Sequence, residues 1–314
     1  MAAPVSHARA LSRRGLLGLG VAGAAGLAGC AVAPTASGPA PSAAGASPTA
    51  AAPRATATPV ATQPTPTPSA TPAPAWPTRE EIIERYAGRP ARQWGWEVTG
   101  AVNRLDDPHS PSSDADGVAL TFDACGGDGA GSGYDEALIE TLRRHEVTAT
   151  LYLNARWIRA NASLAAELAD DPLFVLASHG TRHVPLSVAG RDAYGIAGTA
   201  DVGAVYDEIT AGFDWFEQAV GARPATMRPG TAHCDEVAAA IAIDLGAPIA
   251  GLSVNGDDGA TLGAAGVAQR LTSVEPGDIV LAHFNRPAGG TAEGLARALP
   301  RLLDAGTRFV GLGA

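Results

Sequence analysis

The chain has 314 residues, a formal charge of −10, 22 arginines and no lysine. Without lysine, Schiff-base chemistry and a Walker-type phosphate loop are excluded, and the acidic balance argues against nucleic acid as a partner. The first 76 residues differ in composition from the rest, which leaves roughly 230 residues, enough for one large α/β domain with a sizeable core.

Residues 1–30 read as an address. Ser12-Arg13-Arg14-Gly15-Leu16-Leu17 is a twin-arginine pattern, and the apolar stretch behind it is too short and glycine-rich to span a membrane. It ends in Leu27-Ala28-Gly29-Cys30, which resembles the lipobox of bacterial lipoproteins and makes Cys30 the expected lipidation site; a plain signal peptide with an incidental cysteine is the alternative. Removing residues 1–29, with three arginines and no acid, takes the formal charge from −10 to −13. Residues 31–76 are almost wholly Ala, Pro, Thr, Ser and Gly, a composition that cannot bury enough apolar surface to offset its ordering entropy. They are expected to form a disordered, partly polyproline tether. Residues 77–116 form an approach segment, with Thr78 as cap of a short helix through Arg85 and an ordered Trp94-Gly95-Trp96.

From residue 117 to 314, seven short apolar runs predict strands: Val118 to Phe122, Thr148 to Leu153, Leu173 to Ala177, Ala225 to Met227, Ile249 to Val254, Ile279 to Ala282 and Arg308 to Leu312. Helical patterns lie between them at Asp135 to His145, Ser163 to Ala169, Val202 to Val220, Asp235 to Leu245, Gly266 to Ser273 and Ala292 to Leu303. This alternation predicts a parallel sheet covered by helices, a barrel more than an open sheet, with its chemistry in the loops after strand C-termini. Polar residues collect there. Asp123 follows the first strand, His179 and His183 the third, Arg228 the fourth, Asp257 and Asp258 the fifth, and His283 the sixth.

His179 and His183, four residues apart, form a candidate metal pair. The glycine-rich stretch Gly126 to Gly133 follows a strand and precedes a helix, but no glycine in it has partners at both i+2 and i+5, so it fails as a dinucleotide fingerprint. Cys125 and Cys234 fall in two loops of the same face, where a disulfide and two free thiols are both open. His233 is expected to be structural.

Val118-Ala119-Leu120-Thr121-Phe122-Asp123, Ser178-His179-Gly180-Thr181-Arg182-His183 with Pro185-Leu186, and Leu281-Ala282-His283 together resemble the motifs of the polysaccharide deacetylase (NodB-homology, carbohydrate esterase family four) domain. The resemblance covers about Gly117 to Gly313. It implies a distorted seven-stranded (β/α) barrel and a divalent metal, zinc, held by an acid and the two histidines. It also implies removal of N-acetyl groups from a glycan; the Cys30 anchor and the tether, which would place the domain at the cell wall, make peptidoglycan the expected one. His283 resembles the acid that protonates the leaving amine. Arg228 resembles the arginine that positions the catalytic carboxylate, with Asp257 or Asp258 as a possible partner, or either could form a surface ion pair.

The family carries two adjacent acids in its first motif, a base and then a ligand, whereas here Asp123 is followed by Ala124. Three outcomes are open. Asp123 becomes the metal ligand with Asp128 or water as base, which a ligand set of two histidines and one carboxylate favours; or Asp123 stays the base on a two-histidine metal; or the site is inactive. The last leaves a non-catalytic glycan-binding protein as the alternative, and hydrolysis of another acyl amide or ester is a further one. The expected partners are a polysaccharide or peptidoglycan substrate and the membrane reached through Cys30, with the domain a monomer.

Overall fold

The structure, a computed structural model, describes residues 76–112 and 114–313. The expected signal sequence, Cys30 and the tether before Trp76 lie outside them. In chain order the strands are β1 (Ala101–Val102), β2 (Ala119–Ala124), β3 (Ala149–Leu153), β4 (Phe174–Ser178), β5 (Asp192–Ala193), β6 (Ile196–Ala197), β7 (Ile249–Ala250), β8 (Val254–Asn255) and β9 (Ile279–His283). The helices are α1 (Arg79–Tyr86), α2 (Glu136–Arg144), α3 (Ala155–Ala160), α4 (Ala162–Asp170), α5 (Val202–Thr210), α6 (Phe213–Val220), α7 (Glu236–Asp244), α8 (Ala264–Leu271) and α9 (Thr291–Asp304).

The main sheet runs β4-β3-β2-β9-β8, every pair parallel. Single parallel bridges, Ser178 to Met227 and Met227 to Ile249, lead from β4 to the segment that ends in β8. The strands thereby return to their starting point as a distorted barrel, with one thinly paired side. Every residue of β2 and β3 is buried, because helices cover the outside and side chains fill the inside, and this is why their sequences read as unbroken runs.

Two expected strands are weaker than their composition predicts. Residues 225–227 keep only the bridges of Met227, and residues 308–312 a single bridge from Phe309 to Val118. In the latter segment the Leu312 amide donates to the Thr150 hydroxyl rather than to a backbone carbonyl. The expected helix from Val202 to Val220 is two helices, α5 and α6, separated at Gly212, where the missing side chain removes any packing reason to continue. Helix α3 was not expected; it starts because the Asn154 side chain accepts the Arg156 amide, an N-cap that satisfies an otherwise unpaired donor.

Apolar side chains form two large clusters outside the barrel. One packs the outer faces of β2, β3 and β9 against α2, α3, α4, α8 and α9, with Trp157 fully buried. The other joins α1, α5 and α7, so the approach segment is part of the domain. Helix α1 begins with a capping box in which Thr78 and Glu81 satisfy each other's backbone amides. Inside the barrel the buried polar groups Thr121, Asp123 and Arg228 adjoin a smaller apolar cluster that includes Ala119, Tyr152, Ala177 and Ile279.

Candidate active site

Arg228 occupies the centre of the barrel with no exposed surface. Its guanidinium donates to Asp123 Oδ1 at 2.8 Å, to Thr121 Oγ1 at 2.8 Å, and to the carbonyls of Ala250 at 3.1 Å and Gly251 at 2.9 Å. It also lies 4.2 Å above the Tyr152 ring centroid. A buried arginine is tolerable only when its donors are met and its charge is countered, and here both conditions hold. The carboxylate that Arg228 holds is therefore Asp123, not Asp257 or Asp258. Burial alone would raise the Asp123 pKa, but the charges of Arg228, His179 and His283 outweigh it and hold the carboxyl below its ordinary value.

His179 is the first residue beyond β4. Its Nδ1 lies 2.8 Å from the Arg228 carbonyl, an atom that can only accept, so Nδ1 carries the proton and Nε2 presents its lone pair to the cleft. That Nε2 is buried, has no hydrogen-bond partner and lies 3.7 Å from Asp123 Oδ2. The His183 ring meets the His179 ring edge-on at 4.8 Å. An orphaned, correctly tautomerised imidazole nitrogen beside a second imidazole fits a divalent metal.

The loop carrying this pair is held by Glu208 of α5, which sequence reasoning missed. Its buried carboxylate accepts the amides of Thr181, Arg182 and His183 at 2.9, 2.8 and 3.2 Å, and the Arg182 Nε at 3.0 Å. The available signal was an acid on the apolar face of a helix, one residue before Ile209. Gly180 is required by this arrangement: its φ is +69°, and a Cβ there would sit 2.7 Å from Glu208 Oε1.

His283, at the end of β9, is in register with Asp123 on β2. Its Nδ1 donates to Asp257 Oδ1 at 3.0 Å and its amide to Asp257 Oδ2 at 2.7 Å, while Thr291 Oγ1 donates to the same Oδ2 at 3.0 Å. Burial lowers the His283 pKa, but bonding to Asp257 and Cys125 outweighs it and leaves the imidazole well above its ordinary value. Asp258, expected as an alternative partner for Arg228, instead points to the cleft rim, 3.5 Å from Arg270. Asp128, the possible alternative base, is exposed at the start of a short turn and does not line the cleft.

A cleft of about 440 Å³ opens over Asp123, Cys125, His183 and His283. Residues 111–250 match the family model for polysaccharide deacetylase. Over those residues the chain is similar to the polysaccharide deacetylase family. No curated protein matches the chain. Among solved structures it is similar to a carbohydrate esterase family 4 pseudoenzyme from Bacillus anthracis, at 21% identity over 64% of this chain and 65% of that one, with a TM-score of 0.53. A peptidoglycan N-acetylglucosamine deacetylase is similar at 23% identity over 65% and 88% of the two chains, TM-score 0.53. Bacillus subtilis PdaA, a family 4 carbohydrate esterase, is similar at 18% identity over 74% and 86%, TM-score 0.51. At these identities the likeness is one of fold.

The domain does not form the disulfide considered between Cys125 and Cys234: both thiols are free. Cys234 has no exposure and packs among the apolar side chains beside α7, where burial pushes its pKa up; its backbone pairs with Gly95 at 2.9 and 3.1 Å. Cys125 instead faces the histidines, and the ligand atoms of Cys125, His179 and His183 all lie within 4.8 Å of one another. Asp123 is not part of that group.

The Gly95 to Cys234 pairing brings Trp94 and Trp96 to the rim. Around the His233 ring stand Trp96 and Tyr194, each at 5.2 Å, and Trp94 at 6.0 Å. His233, expected to be structural, is thus the centre of an aromatic wall, with its Nδ1 bound 2.7 Å from the Thr231 carbonyl. Trp96 and the 77% exposed Tyr194 both line the cleft.

Proposed function

We propose that the domain is a metal-dependent hydrolase that removes N-acetyl groups from a polysaccharide, with peptidoglycan the substrate and zinc the metal. The observation that carries this reading is the placement of two oriented pairs, Asp123 with Arg228 and His283 with Asp257, around the His179 and His183 nitrogens in one cleft. His179 and His183 would hold the metal, which when bound supplies a water nucleophile near neutral pH and polarises the amide carbonyl.

Asp123 then acts as the base. Arg228 keeps it ionised and fixes Oδ1, leaving Oδ2 to take a proton from the attacking water. His283, kept protonated beside Asp257, delivers a proton to the departing amine, without which the C–N bond of the tetrahedral intermediate does not break productively. The hydrogen bond from Nδ1 to Asp257 directs Nε2 of His283 as the donor. Asp123 thus serves as base rather than as the third ligand.

The reading extends to location: the Cys30 lipobox and the tether would anchor the domain outside the cell membrane and let it reach the wall. Loss of membrane association and of lipid incorporation in Cys30→Ala tests that part. The catalytic part is tested by acetate release from N-acetylglucosamine oligomers and purified wall. Activity that disappears on chelation, returns with Zn²⁺ and is absent in His179→Ala supports it. Ala124, standing where the family has an acid, favours a second reading, a glycan-binding protein without turnover. Glycan binding with no product from any acylated substrate would establish that reading instead.

A further inference from the structure

Ala124 is fully buried in the apolar layer between β2 and the helices. Side chains alternate along a strand, so Asp123 and Cys125, flanking it, both turn toward the cleft. The two take different surroundings. Asp123 Oδ1 is bound to Arg228, whose fixed charge competes with any cation for that carboxylate. The Cys125 sulfur belongs to the group of ligand atoms that lie within 4.8 Å of one another with His179 and His183. The unpartnered His179 Nε2, on a side chain only 1% exposed, is aimed into the same space.

We infer that Cys125, as a thiolate, is the third protein ligand of the metal, one residue beyond the position where the family's acid is missing. The inference rests on reading the histidine pair as a metal site and adds what completes it. Two imidazoles and a thiolate leave a fourth position open, which is the arrangement a catalytic zinc needs. Binding breaks the S–H bond, forms the S–metal bond and releases the proton to solvent, so affinity falls as pH falls. The soft sulfur donor also shifts selectivity toward zinc and cobalt and away from magnesium and manganese, which prefer oxygen.

The test is the absorption spectrum of the full chain loaded with Co²⁺, with Cys30→Ser removing the cysteine outside the described residues. A sulfur-to-cobalt charge-transfer band in the near ultraviolet is expected, and it should vanish in Cys125→Ser. Zinc affinity, measured by competition with a chromophoric chelator, should drop at least tenfold in Cys125→Ser, since even outer-shell changes cost about 10–100-fold. Cobalt bound without the band, or a band and affinity unchanged in Cys125→Ser, would overturn the inference while leaving the histidine site standing. No cobalt bound at all would overturn both. Should Cys125→Ser fail to fold, the spectrum of the Cys30→Ser chain still decides, because Cys234 is sealed in the apolar cluster beside α7.

Discussion

The Arg228 guanidinium and the Asp123 carboxylate meet at 2.8 Å with neither side chain more than 4% exposed. Each neutralises a charge the other could not carry alone in that interior. Removing one partner leaves the other as an unpaired buried ion, which typically costs about 3–5 kcal/mol. Arg228→Met should therefore lower stability by that order in denaturant unfolding, with acetate release lost as well. Asp123→Asn keeps the shape and, with Asp123 acting as base rather than ligand in the proposed reaction, should lose activity by at least about 100-fold while zinc content stays near that of the wild type.

The same pair sets an acid limit on stability. The folded Asp123 pKa lies below its unfolded value of about 3.9. The stabilisation is therefore complete above that unfolded value and is lost as pH falls through the folded one. Thermal melts of the wild type should fall in that acid window, and Asp123→Asn should flatten the fall.

His283 sets the opposite limit on turnover. Its raised pKa keeps the imidazolium present through neutral pH, and activity should decline only as pH rises through that raised value. Asp257→Asn removes the leading cause of the elevation. The alkaline limb of kcat/KM should then move to lower pH, with the acid limb unmoved, in a pH profile of acetate release.

The aromatic wall predicts a dependence on substrate length. Tyr194 is 77% exposed and its ring meets only the edge of the aromatic wall at His233, so Tyr194→Ala should change the melting temperature little. Losing its apolar face against a sugar ring should raise KM for long oligomers by about five- to tenfold, with kcat and the KM of short ones little altered.

Gly230 packs against the backbone of the metal loop. A Cβ there would meet the carbonyl carbon of His183 at 2.2 Å. Gly230→Ala should cost about 1–3 kcal/mol of stability and weaken zinc binding, read by melting and metal titration.

Most of the site was legible because strand ends announce it. His179, His183, Arg228 and His283 all follow apolar runs; His183 and His283 line the cleft, while His179 and Arg228 lie buried beside it with the His179 ring bonded to the Arg228 carbonyl. What could not be read was pairing. Sequence left Arg228 to an acid of the fifth loop, whereas the barrel interior joins it to Asp123 across 105 positions. Cys125 was weighed against Cys234 because both lie in loops, and only packing shows one turned to the histidines and the other sealed in the core. Glu208 was missed because most of its partners are backbone amides, which leave no mark on composition. The broken helix at Gly212 and the hairpin of β5 and β6 were missed because short elements are decided by tertiary contacts rather than by periodicity.

Glu208 also bears on when the protein can acquire its ion. Its carboxylate gathers the amides of Thr181, Arg182 and His183 using protein atoms alone, so the shape of the histidine loop is set by folding itself. On the proposed reading of a metal site, loading then becomes a late and reversible event: ions can be exchanged in the finished molecule without unravelling it.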